Sequence, residues 1–178
     1  ELGIAVNRSY ANYAEMAKKE AAKKDGIEVV SIVTPNHLHF PIAKAFLEAG
    51  IHVICDKPLT SSIEDAEALV SLVEESQLLF AVTYNYSGYP MVRQAREMIK
   101  NGGLGAIRIV QLEYAQDWLA TNIEAGGQKQ AAWRVNPNQA GSGGSIGDIG
   151  THAYHLAEFV TGLEAKSILA DLDSFGEG

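Results

Sequence analysis

The chain has 178 residues, enough for one domain or two small ones, and 47% of them are hydrophobic, which supplies a real core. Its 14 Lys and Arg against 22 Asp and Glu give a formal net charge of -8 with no long block of either sign. This excludes the basic footprint of a nucleic-acid binder and leaves small neutral or cationic partners open. A single cysteine makes an internal disulfide impossible, and no apolar run approaches the roughly 18 residues of a membrane span, so the expectation is a cytoplasmic protein with no membrane contact.

The chain starts at Glu1 without an initiator methionine and stops at Gly178 just after a strand-like run, as expected of a fragment. From Ser9 to about Lys24, Tyr10, Tyr13, Met16 and Ala17 fall at helical spacing, with Ser9 as the N-cap and Asp25-Gly26 as the stop. Residues 27–34 are short, β-branched and almost continuously apolar, which predicts a strand buried on both faces, ending at Pro35-Asn36. A helix follows with Pro41 in its first turn, Ile42, Phe46 and Leu47 on its core side, and Gly50 at its C-terminal end. The next strand is His52 to Cys55, closed by the turn Asp56-Lys57-Pro58.

Ser61 and Glu64 have capping-box spacing, and Ala66, Leu69, Val70 and Val73 form the stripe of an amphipathic helix. Residues 78–83 read as a third buried strand. Alternating strands and helices predict right-handed βαβ crossovers and a parallel sheet. The strands end in Thr34-Pro35-Asn36, Asp56-Lys57 and Thr83-Tyr84-Asn85, polar groups on one edge and hence one candidate site. A helix from about Pro90 stops at Asn101-Gly102-Gly103. Residues 107–114 then alternate like a strand in a sheet with two unlike faces. Residues 119–146 are glycine-rich and loop-like and carry Trp133 and Arg134. Gly147 to His152 leads into a helix burying Leu156, Phe159 and Val160, and residues 166–172 read as a closing strand.

Each constellation has two readings. Lys57 is either a desolvated amine poised for proton transfer or a surface lysine, and Pro58 restricts it to extended conformations. Asp148 and His152, four apart at a helix start, are either a carboxylate orienting an imidazole or a dipole-favoured Asp beside an unrelated histidine. Adding His155 gives a metal-like set that no cysteine or second carboxylate cluster assists, so no metal is assigned. Residues 141–147 fail the dinucleotide pattern because Ile146 stands where the third glycine belongs. The glycines there instead permit close backbone approach. His37 and His39 either cap the following helix or touch a ligand, and Trp118 and Trp133 are core or interface residues by default.

Taken in order, Thr34-Pro35-Asn36-x-x-His39, Asp56-Lys57-Pro58 and Gly143-Gly144-x-x-Gly147-Asp148-x-Gly150-x-His152 resemble the Gfo/Idh/MocA family of glucose-fructose oxidoreductase and inositol dehydrogenase relatives. The resemblance implies an α/β fold: a partial Rossmann-like parallel sheet over residues 1–86, then the start of an α+β substrate and oligomerisation domain with a mostly antiparallel sheet over 87–178. It implies NAD or NADP as cofactor, a sugar, inositol or related polyol as substrate, and a homo-oligomer when full length. By resemblance Lys57, Asp148 and His152 are catalytic. Thr34, Pro35, Asn36, His39, Asp56, Pro58, Asn85 and Arg134 contact the cofactor. The first βαβ unit with its glycine fingerprint is not in this chain, so the chain alone is expected to bind cofactor poorly and to associate. The rival reading is a non-catalytic dinucleotide- or sugar-binding protein on the same fold.

Overall fold

In the computed structural model, which describes residue 3 and residues 5–117, 120–121 and 123–173, the β-branched runs pair as three short parallel strands. They are Val29–Ile32 (β1), His52–Cys55 (β2) and Phe80–Val82 (β3), in the order β1-β2-β3, with Ile32 beside Cys55 and Cys55 beside Val82. The chain divides into two units, Glu1–Thr83 and Tyr84–Gly178.

In the first unit the helices are Tyr13–Ala21 (α1), His39–Glu48 (α2) and Ile63–Ser76 (α3). α2 lies on β1 and β2 and also packs against α1 and α3. Its Ile42, Ala43, Phe46 and Leu47 meet Ile32, Val53, Cys55 and Leu69 in the core. Phe46 is almost fully buried, a placement that contributes roughly 1.5–3 kcal/mol.

The expectation of strands buried on both faces does not hold among the described residues. β1 alternates, and Val33 is 71% and Ile54 39% exposed on the face opposite α2. Two successive crossovers of the same hand place their helices on one side of the sheet, which leaves the other side bare.

The helix starts also shift. α1 is capped by Asn12, whose Oδ1 accepts from the amides of Ala14 at 2.8 Å and Glu15 at 3.3 Å, so Ser9 and Tyr10 precede the helix. α3 is capped by Ser62 and not by Ser61, with Ser62 Oγ accepting from Asp65 N at 3.2 Å. Leu69 anchors α3 in the core, while Val70 faces out.

The second unit holds Pro90–Lys100 (α4), the short helices Lys129–Arg134 (α5) and Pro137–Ala140 (α6), and Thr151–Thr161 (α7). α4 packs along α7, with the Arg96 guanidinium 4.3 Å from the Phe159 ring centre. A turn of π-helix, Ile146–Gly150, runs directly into α7. The expected antiparallel sheet is not seen among the described residues: 107–114 and 166–172 belong to no ladder, and Ile109, Ile168 and Leu169 are exposed. A strand exists only with a partner for its backbone, and the described residues supply none. Trp118 lies outside the described residues.

One buried carboxylate organises the start of the chain. Glu20, 1% exposed, accepts from Tyr10 Oη at 2.5 Å and Lys23 Nζ at 2.8 Å and forms an ion pair with Arg8. Hydrogen bonds from Arg8, then Lys23 and Tyr10, hold its carboxyl down at about 2 against an ordinary 4.5. The unfolded chain binds the proton first on acidification, so this stabilisation is intact at neutral pH and is lost as pH falls from 4.5 through about 2. Acid unfolding followed by circular dichroism should therefore steepen across that window, and Glu20→Gln should flatten it while lowering stability at neutral pH. An unchanged acid limb in the variant would take the role away from Glu20.

Candidate active site

Parallel pairing brings the residues that follow β1, β2 and β3 to one edge of the first unit. The ladder extends past the strands, because Asp56 N donates to Ile32 O and Thr83 N to Cys55 O, each at 2.9 Å. Side chains then tie the ends together. Thr83 Oγ1 donates to Asp56 Oδ1 at 2.7 Å, and the His39 ring lies between Thr34 O and Pro58 O, at 3.0 and 2.8 Å. Lys57 is half-buried in the turn and precedes a cis peptide bond to Pro58. Asn36 is buried at the start of a 3-10 turn, Asn36–Leu38, with Pro35 just before it. Thr34 Oγ1 is buried with no hydrogen-bond partner. At Cys55, one residue before Asp56, burial, then the Asp56 charge, pushes the thiol up to about 12, which disfavours its thiolate.

Burial removes His39 from direct contact with a ligand, contrary to the reading of it as a cofactor contact. Its ring is 0% exposed, and both nitrogens are spent on backbone carbonyls.

The second unit carries Asp148, His152, Arg134 and Asn85. Asp148 sits in the π-helical turn and His152 in the first turn of α7. The π turn closes through Thr151 N to Ile146 O, the five-residue step that distinguishes it from an α turn. Gly143 makes its entry possible. Gly147 N donates to Gly143 O at 3.1 Å, and a Cβ on Gly143 would lie 3.2 Å from Gly147 N.

Arg134 reaches this turn from α5, with Nε 3.3 Å from Asp148 Oδ2 in an ion pair. Its Nη1 donates to Gln130 Oε1 at 2.6 Å and Gln130 O at 3.1 Å, and its guanidinium stacks 4.2 Å over Trp133. These contacts restrain the guanidinium, and through it Asp148. His152 is buried between two tyrosines, with ring centres 4.8 Å from Tyr86 and 5.9 Å from Tyr84. Tyr84 is itself held by stacking on His155 at 4.1 Å and by a 2.7 Å hydrogen bond with Thr151 Oγ1. Burial pushes the His155 ring below its ordinary value, favouring the neutral form. Among the described residues, no three of His, Cys, Asp and Glu gather in a set that could hold a metal ion.

Arg134, Asp148 and His152 line an open cleft of about 500 Å³ together with Tyr86, Tyr114 and Gln116. Gln128 and Gln130 complete its polar wall. Tyr86 and Tyr114 share a hydroxyl–hydroxyl hydrogen bond that pushes the Tyr86 phenol up to about 12, with burial adding to it. The cleft thus offers phenol and amide donors and acceptors around one carboxylate, one guanidinium and one imidazole, a surface suited to a hydroxyl-rich ligand. Asn85 is exposed in the 3-10 turn Asn85–Gly88. The sequence places Tyr84 at a strand end of the candidate site but gives no role to Tyr86, Tyr114 or the glutamines. Tyr84 and Tyr86, two aromatics just after β3, are the available signal, whereas nothing in the sequence marks Gln116, Gln128 or Gln130.

A parallel sheet with polar strand ends, followed by a unit carrying Asp148 and His152 on a cleft wall, defines the class: residues 2–84 match the oxidoreductase family with NAD-binding Rossmann fold. Residues 92–178 match the GFO/IDH/MocA C-terminal domain, and the chain belongs to the Gfo/Idh/MocA family. An oxidoreductase from Sinorhizobium meliloti of known structure is 54% identical, with a TM-score of 0.84 over 99% of this chain and 44% of that one. An inositol dehydrogenase homolog from Azotobacter vinelandii, solved as a complex with NAD+, is 42% identical with a TM-score of 0.85 over 89% of this chain and 41% of that one. The levoglucosan dehydrogenase of Pseudarthrobacter phenanthrenivorans is 39% identical over 76% of this chain and 33% of its own length. The chain spans less than half the length of these relatives.

The first unit fits a dinucleotide at its strand ends. The orphaned hydroxyl of Thr34 is a buried polar group that a ligand would satisfy, and such groups are otherwise costly. Thr34→Val, which keeps the shape and removes the hydroxyl, should raise the melting temperature of the cofactor-free protein while weakening NAD binding by about three- to tenfold, the worth of one hydrogen bond. Calorimetric titration beside a thermal melt checks both signs. Loss of stability without loss of affinity would show that the hydroxyl serves the fold.

Proposed function

We propose that the full-length protein is an NAD(P)-dependent oxidoreductase acting on a hydroxyl or carbonyl carbon of a sugar, inositol or related polyol. The observation that carries this is the cleft of the second unit, where Asp148 and His152 stand among neutral phenol and amide groups. Named relatives in the same family support it: inositol dehydrogenase homologs and levoglucosan dehydrogenase. Residues up to about 86 form the dinucleotide half and the remainder the substrate half.

A bound nicotinamide supplies the hydride acceptor or donor. The chain's own residues manage the proton and the substrate. Lys57 Nζ takes the hydroxyl proton in the oxidative direction and returns it in the reductive one. His152, fixed between Tyr84 and Tyr86, polarises the reacting oxygen or relays its proton. Asp148, anchored by Arg134, holds the substrate or the imidazole in register. Thr34, Pro35, Asn36, Asp56, Pro58, Asn85 and Arg134 shape the cofactor side of the site. The family resemblance further suggests a cytoplasmic homo-oligomer, and no described helix is long and apolar enough to cross a membrane. Sedimentation of the purified full-length protein as a monomer would remove the oligomer from this reading.

The test is turnover. Purified full-length protein with NAD or NADP and a panel of sugars and polyols should change nicotinamide absorbance with at least one substrate. Lys57→Ala should lower kcat by about 10²–10⁴-fold, the usual worth of a positioned acid–base group. Near-normal turnover in Lys57→Ala would overturn the assignment of the proton, and cofactor binding without turnover on any substrate would overturn the enzyme.

A further inference from the structure

His39 opens α2 yet makes no cap: its ring is fully buried and turned to two carbonyl groups on separate segments. Nδ1 is 2.8 Å from Pro58 O, in the turn that carries Lys57. Nε2 is 3.0 Å from Thr34 O, just past the end of β1, on the residue whose hydroxyl is orphaned. A carbonyl oxygen only accepts, so whichever ring nitrogen carries the hydrogen donates to its carbonyl while the other nitrogen abuts its own. Neither segment is held there by regular structure, since Thr34 and residues 57–59 lie outside the ladder.

We infer that His39 is a positioning residue, a clamp that fixes the Lys57-Pro58 turn with one nitrogen and the Thr34 strand end with the other. The inference rests on the proposed function, because it assigns the first contact to proton transfer and the second to cofactor binding. The two contacts have different consequences, which a merely structural histidine would not have. Losing the Pro58 contact frees the turn that aims Lys57, whereas losing the Thr34 contact frees a segment that faces the cofactor.

Amide side chains separate the two. In His39→Gln the amide nitrogen replaces Nε2 and keeps the Thr34 contact, and in His39→Asn it replaces Nδ1 and keeps the Pro58 contact. In the full-length protein, His39→Gln should lower kcat by about tenfold with NAD affinity within about twofold of wild type, a loss on the scale of a small misplacement. His39→Asn should weaken NAD affinity about tenfold, measured by titration without substrate, and keep kcat at saturating cofactor within about threefold. Parallel loss of both quantities in both variants, tracking the melting temperature, would overturn the clamp, and so would wild-type behaviour of either variant. Should a variant fail to fold, the ¹⁵N resonances of the His39 ring in the wild-type protein decide. A ring N–H shielded from exchange with water is expected, and ring hydrogens that exchange freely overturn the inference. If wild-type protein binds NAD but turns nothing over, the proposed function fails, while the affinity difference and the ring resonances still test the clamp.

Discussion

The first unit depends on the register of its parallel ladder. Ile32, Cys55 and Val82 stand side by side, so whatever the sequence places next on each strand emerges at one edge. A slip of one residue would turn Val53 and Cys55 away from α2 and bring Ile54 in, and burial of the first pair makes that slip costly. The hydrophobic core thereby decides where polar chemistry appears. Phe46 and Leu47 of α2 pack on the strands that deliver Thr34, Asp56 and Lys57.

The second unit reaches the same end without a described sheet. Asp148 is placed by an irregular turn and an ion pair, and His152 by the aromatic rings on either side of it. The π turn carries one more residue than an α turn would, and such insertions recur at functional sites because they re-aim side chains. Here the extra residue lies in the stretch that presents Asp148 to Arg134. Arg134 in turn is oriented by Gln130 and Trp133, one turn of the same short helix.

Much of this was legible in the sequence, and the parts that were not have physical reasons. β2 was read to the residue, because His52 to Cys55 is bounded by Gly50 and by a charged turn. The helix starts at Asn12 and Ser62 were missed by a few residues or by one, since neighbouring Ser and Asn side chains compete for the same free amides and only tertiary contacts choose. Tyr10 falls at helical spacing in the sequence, but its hydroxyl is drawn to Glu20 from outside the helix. Residues 107–114 alternate as a strand does, and pattern alone cannot supply a partner. α5 was hidden in a region read as loop because Lys129–Arg134 is too short to show a period, so the cleft wall it builds with Gln128 and Gln130 was hidden as well.

A side chain that must meet a ligand at a strand end has to leave the ladder, and its backbone leaves with it. The amides and carbonyls so released need partners, because buried unpaired groups are costly. At the first unit's edge those partners are largely side chains: His39 for Thr34 O and Pro58 O, with Thr83 closing on Asp56. Thr34 Oγ1 is a group this rule leaves unsatisfied. On the proposed reading, that open valence is where a cofactor would bond.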